Sequence, residues 1–173
     1  MTDAAFRVAP LNASHNRNAF QSASEPLNRY LHEQVSQDVR RRVAACFVAL
    51  TDTDRIAGYY TLASASLLLA DLPMELGKKL PRYPTVPTVR MGRLAVDETF
   101  RGQGLAGALL ADALERAIRA EIAAYALMVD AKDTSAAAFY AHHGFIALPD
   151  SPLTLFLPLA TVRSLRWRIR PPD

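Results

Sequence analysis

Runs of alternating and of helically spaced apolar residues follow one another along the chain, and the switches between them mark its elements. Phe6 to Leu11 reads as a short opening strand. Ser24-Glu25-Pro26 then offers a cap and a proline suited to a helix's first turn, and Leu27, Tyr30, Leu31, Val35 and Val39 fall on one helical face. Two β-rich runs, Val43 to Thr51 and Ile56 to Ala63, flank the polar Asp52-Thr53-Asp54-Arg55, which predicts an antiparallel hairpin.

Asp71 to Leu80 predicts one short surface helix, with Pro73 near its start and Gly77 near its end, before a linker spaced by Pro81, Pro84 and Pro87. Thr88 to Val96 reads as a strand. Leu109, Leu110, Ala113, Leu114, Ala117 and Ile118 then recur at helical spacing, with Asp112, Glu115, Arg116 and Arg119 on the other side. Tyr125 to Val129 reads as a buried strand and Asp133-Thr134-Ser135 as a cap leading into a helix to His142. Gly144 is its stop, and Leu153 to Leu157 a last strand. The whole is α+β, without internal repeats.

With 173 residues, half of them hydrophobic, the chain is expected to form one domain over residues 1–173 with a core that needs no covalent staple. Cys46 is the single cysteine and sits in an apolar run, which predicts a buried thiol rather than a nucleophile. No stretch is long and apolar enough to span a bilayer, and Met1 to Arg7 lacks a basic start followed by an apolar signal core, so the expected compartment is the cytoplasm. Net charge is only +3, yet arginines and lysines cluster, at Arg40-Arg41-Arg42, at Lys78, Lys79 and Arg82, at Arg90 and Arg93, and from Arg163 to Arg170. Such clustering suits an anionic cofactor or polyanionic substrate, or simply solubility.

The strand, the Gly-rich turn Arg101-Gly102-Gln103-Gly104-Leu105-Ala106 and the long amphipathic helix are adjacent. A helix N-terminus approached through small residues offers unpaired amides and the positive end of the helix dipole to a pyrophosphate. Arg101 adds a charge-assisted contact, while Gln103 and Leu105 contribute backbone amides. From the turn alone, a strand-to-helix connection without ligand is an equal reading.

Following Met91-Gly92-Arg93-Leu94-Ala95-Val96-Asp97, this turn resembles the R/Q-x-x-G-x-G/A signature of the GNAT acetyltransferase superfamily. Asp133-Thr134-Ser135-Ala136-Ala137-Ala138-Phe139-Tyr140 with Gly144-Phe145 resembles the superfamily's closing N-x-x-A-x-x-F-Y…G-F segment, with aspartate where asparagine is common. The resemblance implies a mixed, mostly antiparallel sheet with a splayed strand pair and flanking helices, and acetyl-CoA as cosubstrate with no metal. It assigns Leu94, Ala95 and Val96 to the pantetheine arm, Gly102, Gly104 and their neighbours to the pyrophosphate, and Ser135 and Phe139 to the cofactor. Tyr140 becomes the general acid for the departing thiolate; a phenol of reference pKa about 10 holds a proton to donate. Taken alone, Tyr140 would more often be a packing residue.

Phe20 to Leu31, Gln37-Asp38, Gly92 to Asp97 and Pro149 to Pro158 are similar to the GNAT toxins of bacterial toxin–antitoxin modules, with Ser22-Ala23 where relatives often carry Cys-Gly. That subgroup implies acetylation of the α-amine of aminoacyl-tRNA, a ribbon-helix-helix antitoxin and a homodimer. It makes Lys78, Lys79, Arg82, Arg90 and Arg93 the leading tRNA-facing residues, against the alternative of solvated charges. No histidine or carboxylate stands out as a base, and an α-amine of pKa about 8 needs none. A GNAT acting on a small amine or a protein N-terminus, and a non-catalytic acetyl-CoA-binding regulator, are the competing readings. The basic tail from Arg163 to Arg170 fits an RNA-contacting arm, an antitoxin-docking segment or a frayed end.

Overall fold

The computed structural model describes residues 6–162, so the basic tail lies outside the described residues. Seven strands form one sheet in the order β1-β2-β3-β4-β5-β7-β6, where β1 is Arg7–Pro10, β2 Ala45–Leu50, β3 Ile56–Leu68, β4 Thr85–Val96, β5 Ala126–Asp130, β6 Ile146–Leu148 and β7 Ser151–Pro158. β1 with β2, β2 with β3, β5 with β7 and β6 with β7 pair antiparallel, whereas β4 and β5 pair in parallel. The sheet is therefore mixed and mostly antiparallel, as expected. The β4–β5 register runs from Thr88↔Ala126 to Met91↔Val129, and β4 continues past it for five residues, Gly92 to Val96.

The chain packs as two compact units, residues 6–63 with 92–113 and residues 64–91 with 114–162. In the first, Phe20, Leu31, Val35, Val48, Leu50, Ile56 and Tyr59 form a buried cluster. In the second, Leu67, Leu72, Val86, Ala126, Met128, Leu148 and Phe156 do so. Each fully buried aliphatic or aromatic side chain contributes about 1.5–3 kcal/mol relative to exposure.

The first helical segment opens with α1 (Glu25–Arg29), where Ser24 accepts a bond from the Leu27 N–H and Pro26 occupies the first turn. It does not continue as one α-helix. Tyr30–Gln34 is a π-turn, closed by the Val35 N–H on the Tyr30 carbonyl, before α2 (Val35–Arg40) resumes. The extra residue rotates everything after it, so Tyr30, Leu31 and Val35 are buried while Val39, expected on the same face, is exposed.

Val43 is also exposed and the strand begins at Ala45. β3 runs five residues beyond the expected end at Ala63, and the proline linker is partly strand: β4 starts at Thr85 and includes Pro87, whose carbonyl accepts the Tyr125 N–H at 2.8 Å. A proline carbonyl still accepts, so only the donor is lost. The short helix α3 (Met74–Gly77) exposes Met74 and buries the preceding Leu72. α4 (Leu105–Arg119) buries Leu105, Leu109, Leu110, Ala113, Leu114 and Ala117, leaving Ile118 half-buried. No described helix is long and apolar enough to cross a membrane.

Candidate active site

The turn ahead of α4 is built to leave its amides unclaimed. Gly102 and Gly104 have φ of 79° and 75°, the left-handed region that favours glycine, and a Cβ placed on either would meet nothing within 4 Å. Their freedom therefore serves the path of the backbone, and the space in front of them is open. Ala108 donates to the Gly104 carbonyl at 3.1 Å, but no amide from Gly102 to Gly107 donates to another described residue. Six N–H groups in and just before the first turn of a 15-residue helix are thus left without an acceptor among the described residues, at the helix end whose dipole favours an anion such as a pyrophosphate. Arg101, Gly102, Gln103 and Gly104 are exposed, Leu105 is buried as the helix's first core residue, and Ala106 is half-buried.

The strand segment leading there carries Leu94 and Val96 half-buried and Ala95 buried. It is approached closely by Gly58 of β3: a Cβ there would stand 2.9 Å from Leu109 Cδ1 and 3.0 Å from the Ala95 carbonyl oxygen. Gly58 was not singled out by the sequence reading, although a lone glycine inside a strand is the signal for such an approach.

Tyr140 lies in the second turn of α5 (Thr134–His142), and the end of that helix fixes its ring. Gly144, with φ of 94°, lets the Phe145 N–H reach back to the Tyr140 carbonyl at 3.1 Å and the Gly144 N–H to Ala141 at 3.0 Å. This double closure brings the Phe145 ring to 5.6 Å from that of Tyr140, the apolar contact that accompanies such a stop. Phe139 packs edge-on against Tyr140 at 5.2 Å and against His143 at 4.8 Å.

Four tyrosines are buried. Tyr30 donates to Asp38 at 2.8 Å, Tyr59 to the Leu27 carbonyl at 2.7 Å, and Tyr60 to Asp112. The Tyr140 hydroxyl has no hydrogen-bond partner among the described residues, and no polar side-chain atom cut off from solvent lacks one. Its hydroxyl therefore reaches open space rather than a structural partner. Burial of the ring pushes its pKa up to about 12, which keeps the proton on oxygen throughout the neutral range.

Asp133, the aspartate in the asparagine position, accepts the Ala136 N–H at 2.8 Å and caps α5. Ser135 is exposed in the first turn and Phe139 is half-buried. His142 is exposed; His143 is half-buried, and desolvation, then the neighbouring His142, holds its pKa below the usual histidine value. Burial likewise pushes the Cys46 thiol up to about 12, in keeping with a packing role.

The basic residues differ among themselves. Lys78 pairs with Glu75 at 3.0 Å and Arg90 with Asp130 at 3.4 Å, all exposed. Lys79 and Arg82 are exposed as well. Arg93 instead stacks its guanidinium 3.5 Å over the Tyr30 ring and is half-buried. No group of three or more histidine, cysteine or acidic side chains is placed to hold a metal among the described residues.

Residues 11–145 match the Acetyltransferase (GNAT) family. The chain is 36% identical over 149 residues to a tRNA-acetylating toxin of Mycobacterium tuberculosis, which spans 85% of this chain and 88% of that protein. It superimposes on AtaT complexed with acetyl-methionyl-tRNAfMet with a TM-score of 0.86 and 29% identity, covering 93% of this chain and 99% of the other. AtaTR bound with acetyl-CoA matches at 0.80 and 28% over 95% and 99%, and an AtaT–AtaR complex bound to DNA at 0.74 and 26% over 92% and 98%. With a family match over most of its length, the chain belongs to the GNAT family and is an N-acetyltransferase that uses acetyl-CoA.

Proposed function

We propose that the protein acetylates the α-amine of aminoacyl-tRNA, acting as the toxin of a toxin–antitoxin pair. The observation that carries the catalytic part is Tyr140, the one buried tyrosine whose hydroxyl is left without an intramolecular partner among the described residues. The relative of M. tuberculosis, a tRNA-acetylating toxin, and AtaT, solved with acetyl-methionyl-tRNA, support the substrate. An α-amine supplies its own nucleophile at neutral pH, in keeping with a site that offers no evident base.

Acetyl-CoA supplies the acetyl thioester. The amides of residues 102–107, with Arg101, bind its pyrophosphate; the free edge of Leu94, Ala95 and Val96 holds the pantetheine arm, and an N–H near Val96 polarises the thioester carbonyl. Ser135 and Phe139 flank the cofactor. Tyr140 donates its proton to sulfur as the C–S bond breaks, so transfer is direct and Cys46 forms no acyl-enzyme. Lys78, Lys79, Arg82, Arg90 and Arg93 are the residues assigned to tRNA, with Lys79 and Arg82 foremost because they are exposed and outside the ion pairs that engage Lys78 and Arg90, and Arg93 last because it is stacked.

In this reading residues 1–173 work as one acetyltransferase domain in the cytoplasm, as a homodimer, held in check by a ribbon-helix-helix antitoxin. The AtaT–AtaR complex on DNA supports a bound partner. Incubating charged tRNA with acetyl-CoA and protein, then releasing the amino acids with mild alkali for mass spectrometry, tests the proposal. N-acetyl amino acids appearing only with both components support it. Unmodified amino acids alongside turnover of a free amine would replace it with a small-amine acetyltransferase.

A further inference from the structure

The turn from Arg101 to Gly104 is exposed, a Cβ on either of its glycines would meet nothing within 4 Å, and its backbone bonds run to its two ends, from the Ala108 N–H to Gly104 and from the Arg101 N–H to Glu98. Its place is inherited from the start of α4 on one side and from Asp97 to Phe100 on the other. That second anchor is unusually well fixed. Asp97 is a buried carboxylate, 1% exposed. One of its oxygens accepts the Gln21 N–H at 2.9 Å; the other accepts the Thr99 N–H at 2.9 Å and faces Arg55 Nη2 at 3.4 Å. Its own amide donates to the Ala57 carbonyl at 2.8 Å, and Glu98 returns a bond to the Gln21 carbonyl at 2.9 Å. Arg55 also donates to Thr99 Oγ1 at 3.0 Å and lies 5.0 Å over the Phe100 ring.

We infer that Asp97 is a positioning residue for acetyl-CoA: by clamping the Gln21 backbone and the Glu98–Phe100 turn with its two oxygens, it sets where the pyrophosphate amides point. The inference rests on the reading of residues 101–106 as the pyrophosphate cradle. A cap alone would need one oxygen on Thr99; the second oxygen on Gln21 and the cation of Arg55 make the anchor rigid from three directions. Asparagine at 97 keeps the shape but must turn its NH₂ towards either the Gln21 amide or the Thr99 amide and Arg55, so donor faces donor on one side.

The test measures acetyl-CoA binding by calorimetry and steady-state kinetics on the full chain, with Asp97→Asn, Arg55→Met and, as a probe of the cradle, Gly104→Val. Because binding is read directly, the outcome does not depend on which amine is acetylated. Asp97→Asn is expected to raise Kd and KM for acetyl-CoA about ten-fold, and Arg55→Met about three-fold, as befits losing bonds to a charged group. For both, kcat at saturating acetyl-CoA stays within about two-fold, a split that general destabilisation would not give. Arg55 is exposed, so its variant decides the matter if Asp97→Asn does not fold. Wild-type Kd in both, with binding lost in Gly104→Val, would overturn the inference and leave Asp97 a cap. Wild-type Kd in Gly104→Val as well would overturn the cradle reading along with it.

Discussion

The guanidinium of Arg93 lies 3.5 Å over the ring of Tyr30, whose hydroxyl donates to Asp38 at 2.8 Å. This stack joins β4 to the helical segment at its π-turn, within the buried cluster around Tyr59 and Val35. It separates Arg93 from the other basic residues assigned to tRNA. Replacing Arg93 by methionine is expected to lower stability by about 1–2 kcal/mol, the range of a partly desolvated cation–π contact. Replacing Lys79 and Arg82 together by alanine should leave thermal stability unchanged and reduce the slope of log K against log salt for tRNA by about one to two. Denaturant titration and binding at several salt concentrations check both; a stable Arg93→Met protein with a reduced salt slope would contradict the distinction.

Tyr140→Phe removes the proposed proton donor and leaves the ring contacts with Phe139 and Phe145 in place. It is expected to lower kcat by about 10²–10⁴ with little change in acetyl-CoA Kd. Because burial raises the phenol to about 12, its donating form persists on the alkaline side. The rate should climb as the amine deprotonates near pH 8 and then stay level through pH 10. A descending limb at pH 10 or below would contradict Tyr140 as a buried acid. The same shift makes the group favour folding below pH 10, a contribution lost as pH rises towards 12.

Gly144 and Gly58 are demanded for different reasons. At φ of 94°, alanine at 144 is strained by about 1–2 kcal/mol, and it loosens the closure that seats Tyr140, so kcat should fall along with stability. At 58 the added methyl collides with Leu109 and the Ala95 carbonyl, at a cost of about 1–3 kcal/mol. Thermal denaturation and kinetics on the two variants separate these effects. A Gly58→Ala protein as stable as the parent would show that β4 yields there freely.

Cys46 is 4% exposed and its thiol is raised to about 12, so at pH 8 roughly one part in ten thousand is thiolate. Native protein should react with thiol reagents only after unfolding, and Cys46→Ala should retain kcat. Rapid native labelling with loss of activity would instead make the thiol part of the chemistry.

Periodicity located α4, which hides one clean face, continuous apolar runs located β2, the first half of β3 and β5, and the Asp133 cap and Gly144 stop located α5. These signals failed where neighbours rather than residues decide. Nothing in Tyr30–Gln34 announces a π-turn, so Val39 was placed on a face that the extra residue turns away. Pro84 and Pro87 read as linker because proline lacks a donor, yet their carbonyls accept from Leu69 and Tyr125. The three residues of β6 are too few to show a period, and Ile146 and Ala147 are exposed. At the candidate site, the Gly-rich turn and the Phe139-Tyr140…Gly144-Phe145 segment were singled out by their resemblance to the GNAT motifs, since from the residues alone a turn without ligand and a packing tyrosine read as well or better. The clamp of Asp97 on Gln21 was not, since 76 positions separate the two residues.

The most direct test is transfer of labelled acetyl groups from acetyl-CoA to a mixed pool of charged tRNAs, with uncharged tRNA and Tyr140→Phe as controls, at low and moderate salt. Label on charged tRNA alone, weaker at the higher salt and lost in the variant, is the predicted result. No label on charged tRNA by a protein that binds acetyl-CoA, or equal label with Tyr140→Phe, would contradict it.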